Sequence, residues 1–242
     1  MLVVGLTGGI STGKSTVTQR LREEHKIKVV DLDAVARQVV EPHTPALRQI
    51  VDRYGKEVLR WDDKTQQEVL DRPSLGKILF NDKAEKKWIE GVLHPAILKR
   101  TAWEVLKAYA SLHSIVVLDV PLLFEATLHR YVGLAALVYC SPQTQLQRLM
   151  ARDSVSKEEA EKKMAAQFPI DDKVSLADQV IHNDGTREDT HREVAMVVQQ
   201  WRDRTRWWYV VQWLCPPLAA AQAAWIIWSK KKQGESKGEK RE

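Results

Sequence analysis

Near the amino terminus, Gly8-Gly9-Ile10-Ser11-Thr12-Gly13-Lys14-Ser15 fits the pattern G-x-x-x-x-G-K-[ST], with Thr16 following. Before it stands a short apolar run, Leu2-Val3-Val4-Gly5-Leu6, whose β-branched content favours a buried strand. After it, Val17 and Leu21 lie one turn apart in a helical stretch from Lys14 to His25. Glycines let the backbone curl so that successive N–H groups converge on a phosphate, and the helix start adds its positive dipole end. Lys14 reaches the β- and γ-phosphates as a mobile charge, and the Ser15 hydroxyl is placed to ligate Mg²⁺. The loop from Gly8 to Thr16 is therefore predicted to bind the phosphates of a nucleotide, with Mg²⁺ accompanying it.

A second strand, Ile27 to Val30, ends on Asp31-Leu32-Asp33. Strand, glycine turn, helix, strand is the opening of an α/β protein with a parallel sheet. The next clear strand is Ile115 to Leu118, separated from Asp33 by 81 residues, too many for a simple crossover. The intervening block reads mostly as helices: Pro45 to Tyr54, about Gln67 to Phe80, and Asn81 to His113, the last interrupted at His94-Pro95. Residues 34–113 are expected to form a helical insertion gripping a second substrate. The alternative is a covering layer that touches no ligand. Leu134 to Cys140 is another strand, and Ser141-Pro142 starts a helix. Ser156 and Glu159 have capping-box spacing before a helix reaching about Gln167. Ala177 to Ile181 reads as the last strand, His182 to Gly185 as a turn, and Arg187 to Trp201 as an amphipathic helix.

The 242 residues suffice for a sizeable core, and 44% hydrophobic with 29% charged residues excludes a disordered or polytopic membrane chain. Two distant cysteines, Cys140 and Cys215, read as reduced thiols in an intracellular protein, and Met1 to Gly9 lacks a secretory signal. Net charge is only +5, mildly suited to a phosphate-rich ligand. A GTPase would need N-K-x-D, which Asn81-Asp82-Lys83-Ala84 does not supply. Asp52 to Gly55 matches D-x-x-G but lies in a helical stretch. A small-molecule kinase remains.

Asp31 and Asp33 follow the second strand, near the carboxyl edge of the sheet where ligands bind in open α/β folds. Either could take or position an acceptor hydroxyl proton; Asp33 could also simply cap the following helix. Asp119, closing a strand, suits an outer carboxylate for Mg²⁺, while Glu125 could line the acceptor site or lie on the surface. Arg148 and Arg152 share one helix face, opposite Leu146, Leu149 and Met150. With Lys157, Lys162 and Lys163 they suit a lid, about 152–168, closing over triphosphate; the alternative is a solvated face. Interleaved acids and missing aromatics argue against a nucleic-acid stripe.

Residues 207–228 are 22 without a charge, and six of the nine tryptophans lie beyond position 200. Such a stretch is long enough to span a hydrocarbon core, with aromatics at both ends. Pro216-Pro217 interrupts it, and basic residues flank both sides. It reads either as a membrane anchor or interfacial hairpin, or as an extension folded back on the protein. A polar tail, 229–242, follows. In either case the head is expected to be cytoplasmic, in the membrane case on the cytosolic face of an intracellular membrane.

GLTGGISTGKST, VVDLDAVARQVV, the His94-Pro95 pair, VLDVPLLFE, RLMARD and AAQFPIDDK–ADQVIHNDG together resemble the dephospho-CoA kinase family, over roughly residues 1–201. The resemblance implies transfer of the ATP γ-phosphoryl to the 3′-hydroxyl of dephospho-CoA. It implies a P-loop NTPase-type parallel sheet flanked by helices, a helical acceptor-binding insertion and a lid, all within a 1–206 kinase domain. It makes Lys14, Asp33 and Arg148 catalytic, gives Arg152 to the lid and Asn183 to the neighbourhood of adenine. Asp31, Asp33, His94 and Glu125 fall on the acceptor side. Two features depart from the family: Ser11 replaces a usual glycine, and the chain runs on past the last amphipathic helix. The alternatives are a kinase for another nucleoside or nucleotide, or a membrane-tethered ATP-binding scaffold without turnover.

Overall fold

A computed structural model describes residues 1–80, 82–214, 224–225 and 228. Its central strand, β1 (Leu2–Gly8), pairs in parallel with β5 (Ile115–Asp119) on one side and β6 (Leu134–Tyr139) on the other. Adding β2 (Lys28–Asp31) and β7 (Gln179–His182) gives one sheet in the order β2-β5-β1-β6-β7. A strand with neighbours on both sides and cover on both faces has no polar face to show. That is why β5 is buried at every position and reads as an apolar run.

Helices α1 (Lys14–Glu23) and α9 (Arg187–Leu214) pack against these strands, and α6 (Pro142–Asp153) follows β6. Val17 and Leu21 of α1 and Val194, Val197, Val198 and Trp201 of α9 join Val4, Leu6, Val117, Leu134, Val138 and Ile181 in one core. Between α6 and β7 lie α7 (Lys157–Ala165) and α8 (Ile170–Leu176). Both start signals at Ser141 and Ser156 are used: the Ser141 hydroxyl accepts from the Thr144 amide, and Ser156 from that of Glu159.

The chain divides into two compact units, one comprising 1–30 with the described residues from 108 onward, the other 31–107. The second unit contains α2 (Leu32–Gln38), α3 (Pro45–Tyr54), a hairpin of β3 (Leu59–Asp62) and β4 (Gln67–Leu70), and α4 (Arg72–Phe80). Then α5 (Lys83–Ala110) carries the chain out of it.

Four elements differ from the sequence reading. Residues 67–70 are a strand, not the start of a helix, because they pair antiparallel with 59–62 across a polar loop that lacks the usual Asn-Gly or Asp-Gly signal. Pro95 sits inside α5 without ending it. The carbonyl it leaves without a donor is that of Gly91, and both residues are exposed, so water can serve instead. The short helix α8 follows Pro169, which ends the preceding segment, and carries Asp171 and Asp172 in its first turn. Finally, α9 continues past Trp201 to Leu214, since no glycine or proline intervenes before Pro216. Among the described residues no helix is long and apolar enough to cross a membrane. The expectations for 207–228 and 229–242 fall largely outside the described residues.

Candidate active site

The glycine-rich turn leaves the carboxyl end of β1, the middle strand, and runs straight into α1. Gly13 takes φ +86° as the N-cap of α1, a left-handed conformation that favours glycine. Ser11 takes φ +60°, where a side chain costs about 1–2 kcal/mol. Its hydroxyl is buried without a hydrogen-bond partner. Inside the turn, both the amide and the hydroxyl of buried Thr12 donate to the Gly9 carbonyl, at 3.3 and 3.0 Å. Gly8 is buried at the strand end, where a Cβ would meet the Thr12 hydroxyl at 2.6 Å.

Lys14 opens α1, and its Nζ forms an ion pair with Asp119 Oδ1. Parallel register places Asp119, the last residue of β5, opposite Leu6, two residues short of the turn. The other Asp119 oxygen accepts from the Thr18 hydroxyl at 3.0 Å, one turn beyond Lys14 in α1. Asp119 is 7% exposed, so a buried acid backs the lysine that a polyanion would draw forward. Ser15 and Thr16 are exposed in the first turn of the same helix. Ser15 and Asp119 supply oxygen donors, the kind Mg²⁺ takes, and the described residues hold no cluster of three His, Cys, Asp or Glu suited to a metal. An ion here would share its coordination with phosphate.

Three carboxamides reach the turn. Gln145 in α6 donates to the Ile10 carbonyl at 2.7 Å, and Gln167 accepts from the Ile10 amide at 3.1 Å. Asn183, just past β7, donates to the Thr12 carbonyl at 2.7 Å while its own oxygen accepts from Thr190 at 2.6 Å. The sequence offers one clue to Gln145: it lies four residues from Leu149 on the buried stripe of α6, where a polar residue needs a partner. Thr18, three residues from Leu21 on α1, and Thr190, four from Val194 on α9, carry the same mark, whereas Gln167 carries none. Both ends of the Asn183 carboxamide are thus occupied by protein groups.

Arg148 lies on the α6 face toward the turn, with Nη1 4.0 Å from where a Gly13 Cβ would stand. It interacts with Cys140 and Asp184. Burial pushes the Cys140 thiol up to about 11, against the pull of Arg148, so it stays protonated near neutrality. Burial opposes charge on Asp184, yet the Ser141 amide and hydroxyl, with Thr144 and Arg148, hold its pKa below the usual value. Arg152 shares the helix but not the neighbourhood: it is exposed and pairs with Asp153 at 2.8 Å. Lys163 of α7 joins the same carboxylate at 2.7 Å. Hydrogen bonds from Arg152, then Lys163, bring Asp153 down to about 2. Glu125 meets the wholly buried Lys173 of α8 at 2.6 Å, and the same oxygen accepts from the Phe168 amide at 3.3 Å.

In the second unit, Asp31 caps α2, accepting from the amides of Asp33 and Ala34 at 2.9 and 3.1 Å. Asp33, which the sequence left open as a cap, stands instead in the first turn of α2, exposed, with no side-chain partner among the described residues. His94 is exposed on α5. Glu85 receives two hydrogen bonds from Arg53, at 2.7 and 2.6 Å, and a third at 2.5 Å from Tyr54. These bring its pKa to about 2.

A glycine-rich turn leaving the middle strand of a parallel sheet into a helix, with its lysine held by a buried acid, defines a P-loop kinase fold. Over residues 2–189 the sequence matches the dephospho-CoA kinase family. The chain belongs to that family. A dephospho-CoA kinase domain-containing protein of Danio rerio is 45% identical over 195 residues, spanning 80% of this chain and 82% of its own. The dephospho-CoA kinase of Geobacillus kaustophilus is 41% identical over 200 residues, spanning 83% and 96%. In three dimensions, the solved dephospho-CoA kinase from Campylobacter jejuni is similar with a TM-score of 0.63 at 27% identity, over 82% and 96% of the two chains.

Proposed function

We propose that this chain transfers the γ-phosphoryl group of ATP to the 3′-hydroxyl of dephospho-CoA, giving ADP and coenzyme A. The observation that carries this reading is Lys14 seated against buried Asp119 at the mouth of the glycine turn, in a chain of this family. The turn from Gly8 to Thr16 binds the ATP phosphates, and Lys14 moves from the Asp119 carboxylate toward the β- and γ-oxygens as they arrive. Mg²⁺, held by Ser15 with Asp119 behind it, would neutralise charge on those oxygens.

The acceptor oxygen attacks the γ-phosphorus in line as the bond to the β-γ bridging oxygen breaks; no covalent enzyme intermediate forms. Asp33 orients the ribose hydroxyl and takes its proton. Lys14 and Arg148 stabilise charge spread over the equatorial oxygens. Arg152 belongs to a lid, about 152–168, that must give up its Asp153 pairing to join them. Residues 34–113 hold the acceptor, with Asp31, His94 and Glu125 on that side.

An ADP-release assay with dephospho-CoA offered beside nucleosides and nucleoside monophosphates tests the reading. ADP should form with dephospho-CoA and not with the others. Equal turnover of a nucleoside, or stoichiometric ATP binding without product, would overturn it. Full turnover by Asp33→Ala would remove the role given to that carboxylate.

A further inference from the structure

The phosphate turn is held by its own peptide groups, and the chemistry above does not account for the side chains that hold it. Gln145 is 4% exposed and Asn183 8%, and each donates its carboxamide N–H to a carbonyl of the turn, Ile10 and Thr12 respectively. The Thr12 carbonyl, which can only accept, fixes which way round Asn183 sits, and the Thr190 hydroxyl then faces the amide oxygen. Gly9 and Gly13 leave room for these contacts: a Cβ would come within 2.6 Å of Gln145 Nε2 and 2.0 Å of Asn183 Nδ2.

In a planar trans peptide, the carbonyl of one residue and the N–H of the next point in opposite directions. Drawing the Ile10 carbonyl toward Gln145 therefore turns the Ser11 N–H away from Gln145. Drawing the Thr12 carbonyl toward Asn183 turns the Gly13 N–H away from Asn183. Neither amide donates to any described residue. The Ile10 amide, by contrast, is occupied by Gln167. Two alternate peptides of the turn thus present free donors, and each is set by one buried carboxamide on its far side.

We propose that Gln145 and Asn183 are positioning residues that aim the Ser11 and Gly13 amides at the nucleotide's β-phosphate. The proposal rests on the turn being the ATP phosphate site. A free donor held in place loses no ordering entropy when the anion arrives, and a hydrogen bond to a charged acceptor is among the stronger ones. Without the carboxamide, each peptide can rotate, and the anion must select one orientation.

Calorimetric titration of the full chain with Mg·ADP and with AMP separates this role from a merely structural one. Gln145→Met keeps the length without the donor; Asn183→Asp keeps the acceptor for Thr190; Asn183→Leu adds no charge. All three should bind Mg·ADP about ten- to a hundredfold more weakly. AMP, which lacks the β-phosphate, should change by less than about threefold. In turnover, KM for ATP should rise while KM for dephospho-CoA holds. Folded variants with unchanged ADP affinity would overturn the proposal, as would equal losses for AMP and ADP. Lys14→Ala separates the two failures. If it alone loses ADP binding, only the positioning role falls; if it too binds normally, the turn is not the phosphate site.

Discussion

Removing one partner of the Lys173–Glu125 pair should cost far more stability than removing both. Lys173 is 0% exposed, and the two charges meet at 2.6 Å. At an effective dielectric constant near 20, that separation corresponds to an attraction of about 6 kcal/mol. Each ion forfeits several kcal/mol of hydration on burial, so the intact pair comes out near balance against apolar side chains of similar size. Glu125→Leu alone leaves an ammonium with neither water nor counter-charge, at a cost of about 3–5 kcal/mol. For a chain of this length each kcal/mol moves Tm by about 2–4 °C, so the drop is roughly 6–20 °C. Lys173→Met should cost a similar amount, whereas the double variant should lie within about 1 kcal/mol of the parent. Urea unfolding followed by tryptophan fluorescence reads this cycle, because Trp201 is fully buried in the same unit. Additive losses in the double variant, or single variants within about 1 kcal/mol of the parent, would refute the burial argument.

Lys14→Ala should abolish phosphoryl transfer while leaving far-UV circular dichroism unchanged, measured on the same sample as the ADP-release assay. Gly13→Ala combines a left-handed φ with a Cβ 2.0 Å from Asn183 Nδ2, so Mg·ADP binding should be lost in calorimetry even where the protein folds. Glu85 titrates near 2 in the folded chain, below its ordinary 4.5. Its contribution is present above that ordinary value and lost as pH falls through about 2. Glu85→Gln should therefore lower Tm near neutrality and converge with the parent in strong acid. A chain ending at Arg206 keeps Val194, Val197, Val198 and Trp201 in the core. One ending at Gln200 loses Trp201 and should unfold at least about 3 kcal/mol more easily in urea.

How far the sequence carried the reading depended on the range of each interaction. The turn, its strand and its helix are contiguous, so Gly8 to Thr16 could be read directly. Caps are local too: Ser141 and Ser156 act within three residues of themselves. The hairpin at 59–70 was missed because its strands are short and its loop carries no turn-specific dipeptide. Asp31 and Asp33 are two residues apart and of one residue type, so cap propensity cannot choose between them, and the backbone geometry makes Asp31 the cap.

By itself, the sequence determined a phosphate-binding turn on a buried parallel strand, a helical block between the second and third strands of the sheet, and the family to which these motifs belong. Periodicity and residue type suffice for that, because they act over a few neighbouring residues. Only the tertiary structure decided that Asp119 backs Lys14 across 105 positions, that Gln145 and Asn183 hold the turn from 135 and 171 positions away, and that Lys173 is buried against Glu125. Strand register and helix docking create those contacts, and no local pattern in the chain records which distant carbonyl or carboxylate a side chain will meet.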